Sequence, residues 1–416
     1  MKLPHSKLHI LPLFLAAVLL SGCSMPFETE PESSPAVPVM AEPEAVITEP
    51  PAETTVITTE ATEPSASPQE ILEEYVQSLT LQQKVGQLFV VTPAALSEGA
   101  ETSVTTVLTD AARETMSACP PGGIILFAEN MESGQQLRTL TGDLQAACPT
   151  PLFLSVDEEG GSVARLAHTP SLDLPQFPSA SRFGGDSEAV RQMGEAIGKY
   201  LNQYGFNTDF APVADINTNP HNPVIGKRAF SSDPAQVSQC AAAMSEGLLS
   251  QGVIPVYKHF PGHGDTTQDS HKKLAVSHKT APEQESCEWL PYEGLSNQVM
   301  VMMGHIALPQ VTGDMIPASL SRPIVTDILK NQLGFGGLVI TDSLQMKAIT
   351  DSYTSADAAL AALNAGCDLL LMPESYREAF EGVLYALENG SYSEKSLNET
   401  VTRILQFKIT HGILVL

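Results

Sequence analysis

Along most of the chain, short continuous apolar runs alternate with longer segments in which apolar residues recur at helical spacing. The runs are QLFVV (87–91), GGIILF (122–127), PLFLSVD (151–157), FNTDFAPVADI (206–216), VIPVYKHF (253–260), QVMVMMGH (298–305), GLVITD (337–342) and CDLLLMP (367–373). Unbroken rather than alternating hydrophobicity suits strands buried on both faces, as in a parallel sheet. Between the runs, residues 187–205, 235–252 and 355–366 carry helical periodicity, and each segment ends in glycine, as a helix C-terminus favours. Eight strand–helix repeats over residues 69–416 predict an α/β fold, a single (β/α)8 barrel of the TIM type. A doubly wound sheet is the alternative, but no GxGxxG follows the first run.

The N-terminus departs from this pattern. Residues 1–22 hold two lysines, an apolar stretch and then small residues, which predicts a secretory signal, too short for a membrane span. Leu20-Ser21-Gly22-Cys23 is similar to a bacterial lipobox, with Cys23 as the expected lipidation site. An ordinary cleaved signal with a chance cysteine is the plainer reading. Residues 23–68 are rich in Pro, Glu, Thr, Ser and Ala and poor in large apolar groups, so they predict an extended tether. The expectation is a barrel held outside the cytoplasm by a lipid on the cell membrane.

The chain has 48 acidic against 22 basic residues, a formal net charge of −26, which argues against a nucleic-acid partner. Part of that charge is local, because no Lys or Arg occurs from Leu8 to Gln83. Apart from Cys23 the cysteines are Cys119, Cys148, Cys240, Cys287 and Cys367. An odd, scattered set without CxxC suits small core residues better than a disulfide framework or a zinc site.

Polar residues gather at the C-terminal ends of the runs, where such a barrel keeps its chemistry: Asp157, Asp215, Lys258-His259, His305 and Asp342. Any one aspartate there could be a helix N-cap; corresponding positions on five runs are harder to explain that way. The fifth run opens KHFPGHGDTTQDSH (258–271), which could be a metal site, an acid/base loop or a polar loop. His259, His263, Asp265, Asp269 and His271 are all potential ligands, but their spacing is not HExxH and the first run has no histidine. A metal-dependent hydrolase is therefore a rival reading, and no metal or other cofactor is expected.

That segment closely resembles the K-H-F-P-G-H-G-x(4)-D-S-H signature of bacterial β-N-acetylglucosaminidases of glycoside hydrolase family 3. Five further segments resemble the family in its order: DEEGGSVARL (157–166), NPVIGKRAF (222–230), MGHIALP (303–309), MIPASLSR (315–322) and GLVITDSLQMKAI (337–349). The resemblance covers about residue 70 to the C-terminus. It implies Asp342 as nucleophile, His271 as general acid/base and Asp269 as the carboxylate that tunes this histidine. It also implies that Asp157, Arg165, Arg228, Lys258 and His259 hold a terminal N-acetylglucosamine, while His263 shapes the loop. His305 is read as a satisfied strand-end histidine.

These residue types fit the chemistry. Most retaining glycosidases use two carboxylates, one attacking the anomeric carbon and the other shuttling the proton. An imidazole titrating near neutrality can give a proton in the first step and take one in the second. Asp269, two residues earlier, can bond one ring nitrogen and fix the tautomer. Gly and Pro between Lys258 and Asp269 suggest a loop that moves over the pocket. Two departures bear on preference: Ser162 stands where relatives carry a larger polar residue, and Ser343 where they often carry a second acid. The short stretch after the last run implies that the barrel's own loops supply the whole site.

The expected activity is a lipid-anchored exo-β-N-acetylglucosaminidase, retaining, with a small carbohydrate substrate, cell-wall fragments foremost, and acting as a monomer. An N-acetylglucosaminide phosphorylase on the same fold competes with this reading, as does a glycan-binding lipoprotein without catalysis.

Overall fold

The computed structural model describes residues 67–97 and 106–416. The signal, Cys23 and all but the last two residues of the expected tether lie outside the described residues. No helix among the described residues is long and apolar enough to cross a membrane.

The eight apolar runs form one parallel sheet that curls on itself. Its strands are β1 (Phe89–Val91), β2 (Gly123–Ile125), β3 (Phe153–Val156), β4 (Thr208–Asp209), β5 (Ile254–Phe260), β6 (Met300–Met303), β7 (Leu338–Thr341) and β8 (Leu370–Leu371). Each pairs with its neighbour in sequence, and β8 returns to lie beside β1. The remaining seam, between β7 and β8, is joined by a bridge from Ile340 to Leu369, with Thr341 N donating to Leu369 O at 3.1 Å. Every residue of these strands is buried, which is why their sequences do not alternate.

The fourth run is regular over two residues only. Beyond Asp209 it keeps one bond to β3, Phe210 N on Val156 O (2.8 Å), and continues along β5, with Val256 N on Ala211 O (2.8 Å) and Ala214 N on Lys258 O (2.7 Å). Pro212 has no N–H to offer and interrupts the ladder in mid-run.

Helices Ser187–Gln203, Pro234–Ser250 and Ser355–Ala365 stand where the periodicity places them, each followed by a glycine of positive φ. Their starts are fixed by side chains on free amides: Asp186, Asp233 and Thr354 each accept a backbone N–H of the first turn.

The far end of the barrel is held by one buried cation. Lys408, on helix Glu394–Thr410, places its Nζ 2.8 Å from Gln87 Oε1, 2.9 Å from Gly122 O and 2.6 Å from Pro151 O, with the Phe153 ring centroid at 4.8 Å. Three oxygens match the three N–H groups of an ammonium. Burial pushes the amine down to about 7, above which one oxygen lacks its donor. Lys408→Met should strand these acceptors and cost at least about 2 kcal/mol, read from the midpoint of denaturant unfolding. An unchanged midpoint would mean that the cation does not hold this end.

Candidate active site

The strand ends converge over a cavity of about 340 Å³ at the C-terminal mouth of the barrel. Asp157, Glu159, Arg165, Arg228 and Lys258 line it, as do His259, His263, His271 and Asp342. Phe127, Phe210 and Met302 supply apolar surface. Of the catalytic and sugar-binding residues expected from sequence, only Asp269 is not in the lining, and it bonds one that is. A more open hollow of about 910 Å³ along Glu394–Thr410 contains none of these groups.

The segment after β3 carries three acids that diverge. Asp157 and Glu159 face the cavity, whereas Glu158 between them points the other way. Lys258, at the end of β5, reaches both neighbours, 2.7 Å to Asp157 Oδ1 and 2.7 Å to Glu159 Oε1. Arg228 grips Glu159 with two bonds, Nε to Oε2 at 2.8 Å and Nη2 to Oε1 at 2.6 Å. Burial works against each charge, but the partners win: Glu159 is held well below the usual carboxylate range, and Lys258 and Arg228 are raised. Arg228 is thus an enclosed member of a charged network rather than a surface cation. Arg165 lies at the edge, Nη2 3.7 Å from Asp157 Oδ2.

The three histidines of the KHFPGHG…DSH segment have different partners. His259 Nδ1 is 2.7 Å from Asp215 Oδ2, and Asp215 Oδ1 accepts His263 N at 2.6 Å. His263 is closed off on both ring nitrogens, by Thr266 Oγ1 (2.7 Å) and Ser270 Oγ (2.9 Å), and burial lowers its pKa. It fastens the loop, as expected of it. His271 Nδ1 meets Asp269 Oδ1 at 2.8 Å, and the same oxygen accepts the His271 backbone N–H at 3.0 Å. The slight burial of Asp269 would raise its pKa, but these bonds and one to Lys272 hold it below the usual range. The His271 side chain is 64% exposed.

The glycines here serve packing as well as turning. A Cβ on Gly264 would stand 1.7 Å from Ile216 O, so the loop runs tight against the end of the fourth run. Asn222 strengthens this attachment, its Nδ2 donating to His263 O at 2.8 Å and Thr266 O at 3.1 Å. From His259 to Thr266 the loop is fastened by these bonds, and His271–Lys273 are exposed.

Asp342 follows β7 and accepts the Ser343 N–H on Oδ1 at 2.7 Å. Burial would raise its pKa, but His259, His305 and the Ser343 amide outweigh that and hold it below the usual range. His305 is fully engaged, Nδ1 with Ser319 Oγ (2.7 Å) and Nε2 with Ser343 O (2.9 Å). Ser343 thus lines the cavity and braces Asp342, whereas Ser162 is exposed on the hairpin turn and does not line it. Among the described residues no three His, Cys, Asp or Glu side chains converge as a metal-binding group; Asp265 turns instead to Ser277, Oγ to Oδ2 at 2.6 Å. Among the described residues the five cysteines are free thiols, with Cys119, Cys240 and Cys367 buried.

Sequence alone does not assign Glu159 to the site. Period-two alternation from Asp157 is the signal that points to Glu159. Asp215 is visible as a strand-end acid, but its partner is not.

A family model, the glycosyl hydrolase family 3 N terminal domain, matches residues 80–407. The chain is 34% identical to beta-hexosaminidase A of Pseudoalteromonas piscicida, covering 71% of this chain and 54% of that protein. It is 37% identical to beta-hexosaminidase LpqI of Mycobacterium tuberculosis, covering 62% and 69%. Among solved structures, the family 3 beta-N-acetylglucosaminidase of Paenibacillus sp. superimposes with a TM-score of 0.74 at 33% identity, covering 82% of this chain and 65% of that one. M. tuberculosis LpqI superimposes with a TM-score of 0.71 at 31% identity, covering 81% and 96%. The chain thus spans about half the length of the Pseudoalteromonas protein and about two thirds of the Paenibacillus one.

Glu159→Ala should leave Arg228 without its carboxylate and cost about 3–5 kcal/mol at pH 7 by thermal unfolding. Because the folded pKa of Glu159 lies below its ordinary 4.5, the wild-type advantage should hold above pH 4.5 and shrink as pH falls below it. An equal loss at all pH values would place the effect in packing rather than charge.

Proposed function

The chain belongs to glycoside hydrolase family 3, and on that premise we propose that it is an exo-acting β-N-acetylglucosaminidase working by a retaining, two-step mechanism. The observation that carries this reading is the convergence of Asp342 and His271 on one small cavity whose other polar groups form an ion network suited to sugar hydroxyls. Charged donors and acceptors make strong, directional bonds to hydroxyls, and a cavity of about 340 Å³ suits a terminal sugar.

In this mechanism Asp342, ionised at neutral pH, attacks the anomeric carbon. His271 protonates the departing glycosidic oxygen, and the C–O bond breaks as the glycosyl–Asp342 ester forms. His271 then takes a proton from water, which adds to the anomeric carbon and releases Asp342. Asp269 holds the Nδ1 proton and so leaves Nε2 for the transfer. His259, oriented through Asp215, stands beside the nucleophile.

The lipobox-like Leu20–Cys23 supports a lipoprotein on the outer side of the cell membrane. Cell-wall fragments with a terminal β-linked N-acetylglucosamine are the substrates that suit this position, and Cys23→Ser should move the protein from the membrane fraction to the soluble one.

The test uses 4-nitrophenyl N-acetyl-β-glucosaminide with the full chain, with and without phosphate and EDTA. Free N-acetylglucosamine, made equally well in EDTA, is expected. Sugar 1-phosphate would make the protein a phosphorylase, chelator sensitivity would revive a metal mechanism, and no turnover would favour a glycan-binding lipoprotein. Asp342→Asn should lower kcat by about a thousand-fold or more. His271→Ala should cost about 100-fold or more on a natural disaccharide and much less on an activated leaving group. Equal losses on both substrates would remove His271 from the acid role.

A further inference from the structure

Glu158 has no place in the mechanism above, lies outside the cavity lining and is fully buried. It is nevertheless saturated with donors. Its Oε2 accepts Leu166 N at 2.8 Å, and its Oε1 accepts Ala167 N at 3.0 Å and Tyr200 OH at 2.8 Å. Its own N–H donates to Asp209 Oδ1 at 2.9 Å. The side chain thus staples the far end of the 157–167 hairpin to its beginning. Residues Glu158–Gly160 and Val163–Ala164 pair as a short antiparallel ladder, and Arg165 N reaches Asp157 O at 3.3 Å.

Arg165 is the residue next to the two amides that Glu158 holds. Its contacts are loose: 3.7 Å to Asp157 Oδ2, the Phe127 ring centroid 5.6 Å from its Cζ, and a buried Nε without a partner. A guanidinium so placed depends on its backbone for aim.

We propose that Glu158 is a positioning residue, which fixes Arg165 against Asp157 through the Leu166 and Ala167 amides so that the guanidinium keeps its place at the cavity edge, within reach of a bound sugar. This rests on the reading of the cavity as a sugar site. Asp157 and Glu159 bind from one strand edge; Glu158, facing the opposite way, sets the spacing of the opposing arm.

The experiment is a double-mutant cycle in the full chain, reading KM and kcat on 4-nitrophenyl N-acetyl-β-glucosaminide and N-acetylglucosamine affinity by calorimetry. Glu158→Ala should raise KM about ten-fold with kcat within about three-fold of wild type, and Arg165→Ala should do the same. Combining them should add little to the loss of Arg165→Ala alone, because both act through one contact. Glu158→Gln, which keeps one acceptor, should recover part of the affinity. Should Glu158→Ala fail to fold, Glu158→Gln and Tyr200→Phe in the Arg165→Ala background serve the same cycle. Additive losses, or a lower melting temperature with unchanged KM, would overturn the assignment while leaving the glycosidase reading intact. A wild-type protein that neither turns over nor binds the sugar would overturn both.

Discussion

The contact on which the mouth of the barrel depends is the buried ion network of Glu159 with Arg228 and Lys258. A charge taken out of water is tolerable only beside its counter-charge, so each member constrains where the others can stand. Lys258 comes from the end of β5, Glu159 from the hairpin after β3, and Arg228 from the loop after the fourth run. Three strand ends are thereby locked to one another at the depth where a ligand enters. Asp157 then has a fixed place, with Lys258 at 2.7 Å and Arg165 at 3.7 Å. The hydrophobic barrel supplies the platform, but the electrostatics decide the spacing on top of it.

The loop after β5 shows how one motif separates three chemistries. His259, His263 and His271 share a single stretch, yet each is defined by its partner. A buried aspartate orients the first, two hydroxyls immobilise the second, and an aspartate two residues away holds the third at the edge of solvent. Imidazole reactivity follows burial and hydrogen bonding, and these environments differ as much as any within one loop can. In the proposed mechanism only His271 moves protons.

Much of this is legible in the chain. The barrel follows from eight unbroken apolar runs, because strands covered on both faces leave no polar side to alternate with. The positions of the strand-end acids follow from where those runs stop. The limits are equally physical. The fourth run is shortened because Pro212 breaks the ladder, and a hydrophobicity count does not register a missing donor. Glu159 and Glu158 escape assignment because three consecutive acids look alike in sequence; only the alternation of side chains sends them to opposite sides. Asp215 is visible, but its pairing with His259 spans 44 residues and is fixed by the sheet, not by local spacing. The aim of Arg165 likewise depends on amides that carry no mark in the sequence.

The exposure of His271 has a consequence for how the site resets. A proton carrier enclosed by protein needs a relay of waters or side chains to re-equilibrate after each reaction. Here the ring stands mostly in solvent, with its inner nitrogen tethered to Asp269. Its outer nitrogen can therefore exchange with bulk water and buffer directly whenever the cavity is empty. In the proposed mechanism, such a site needs no internal proton wire between turnovers.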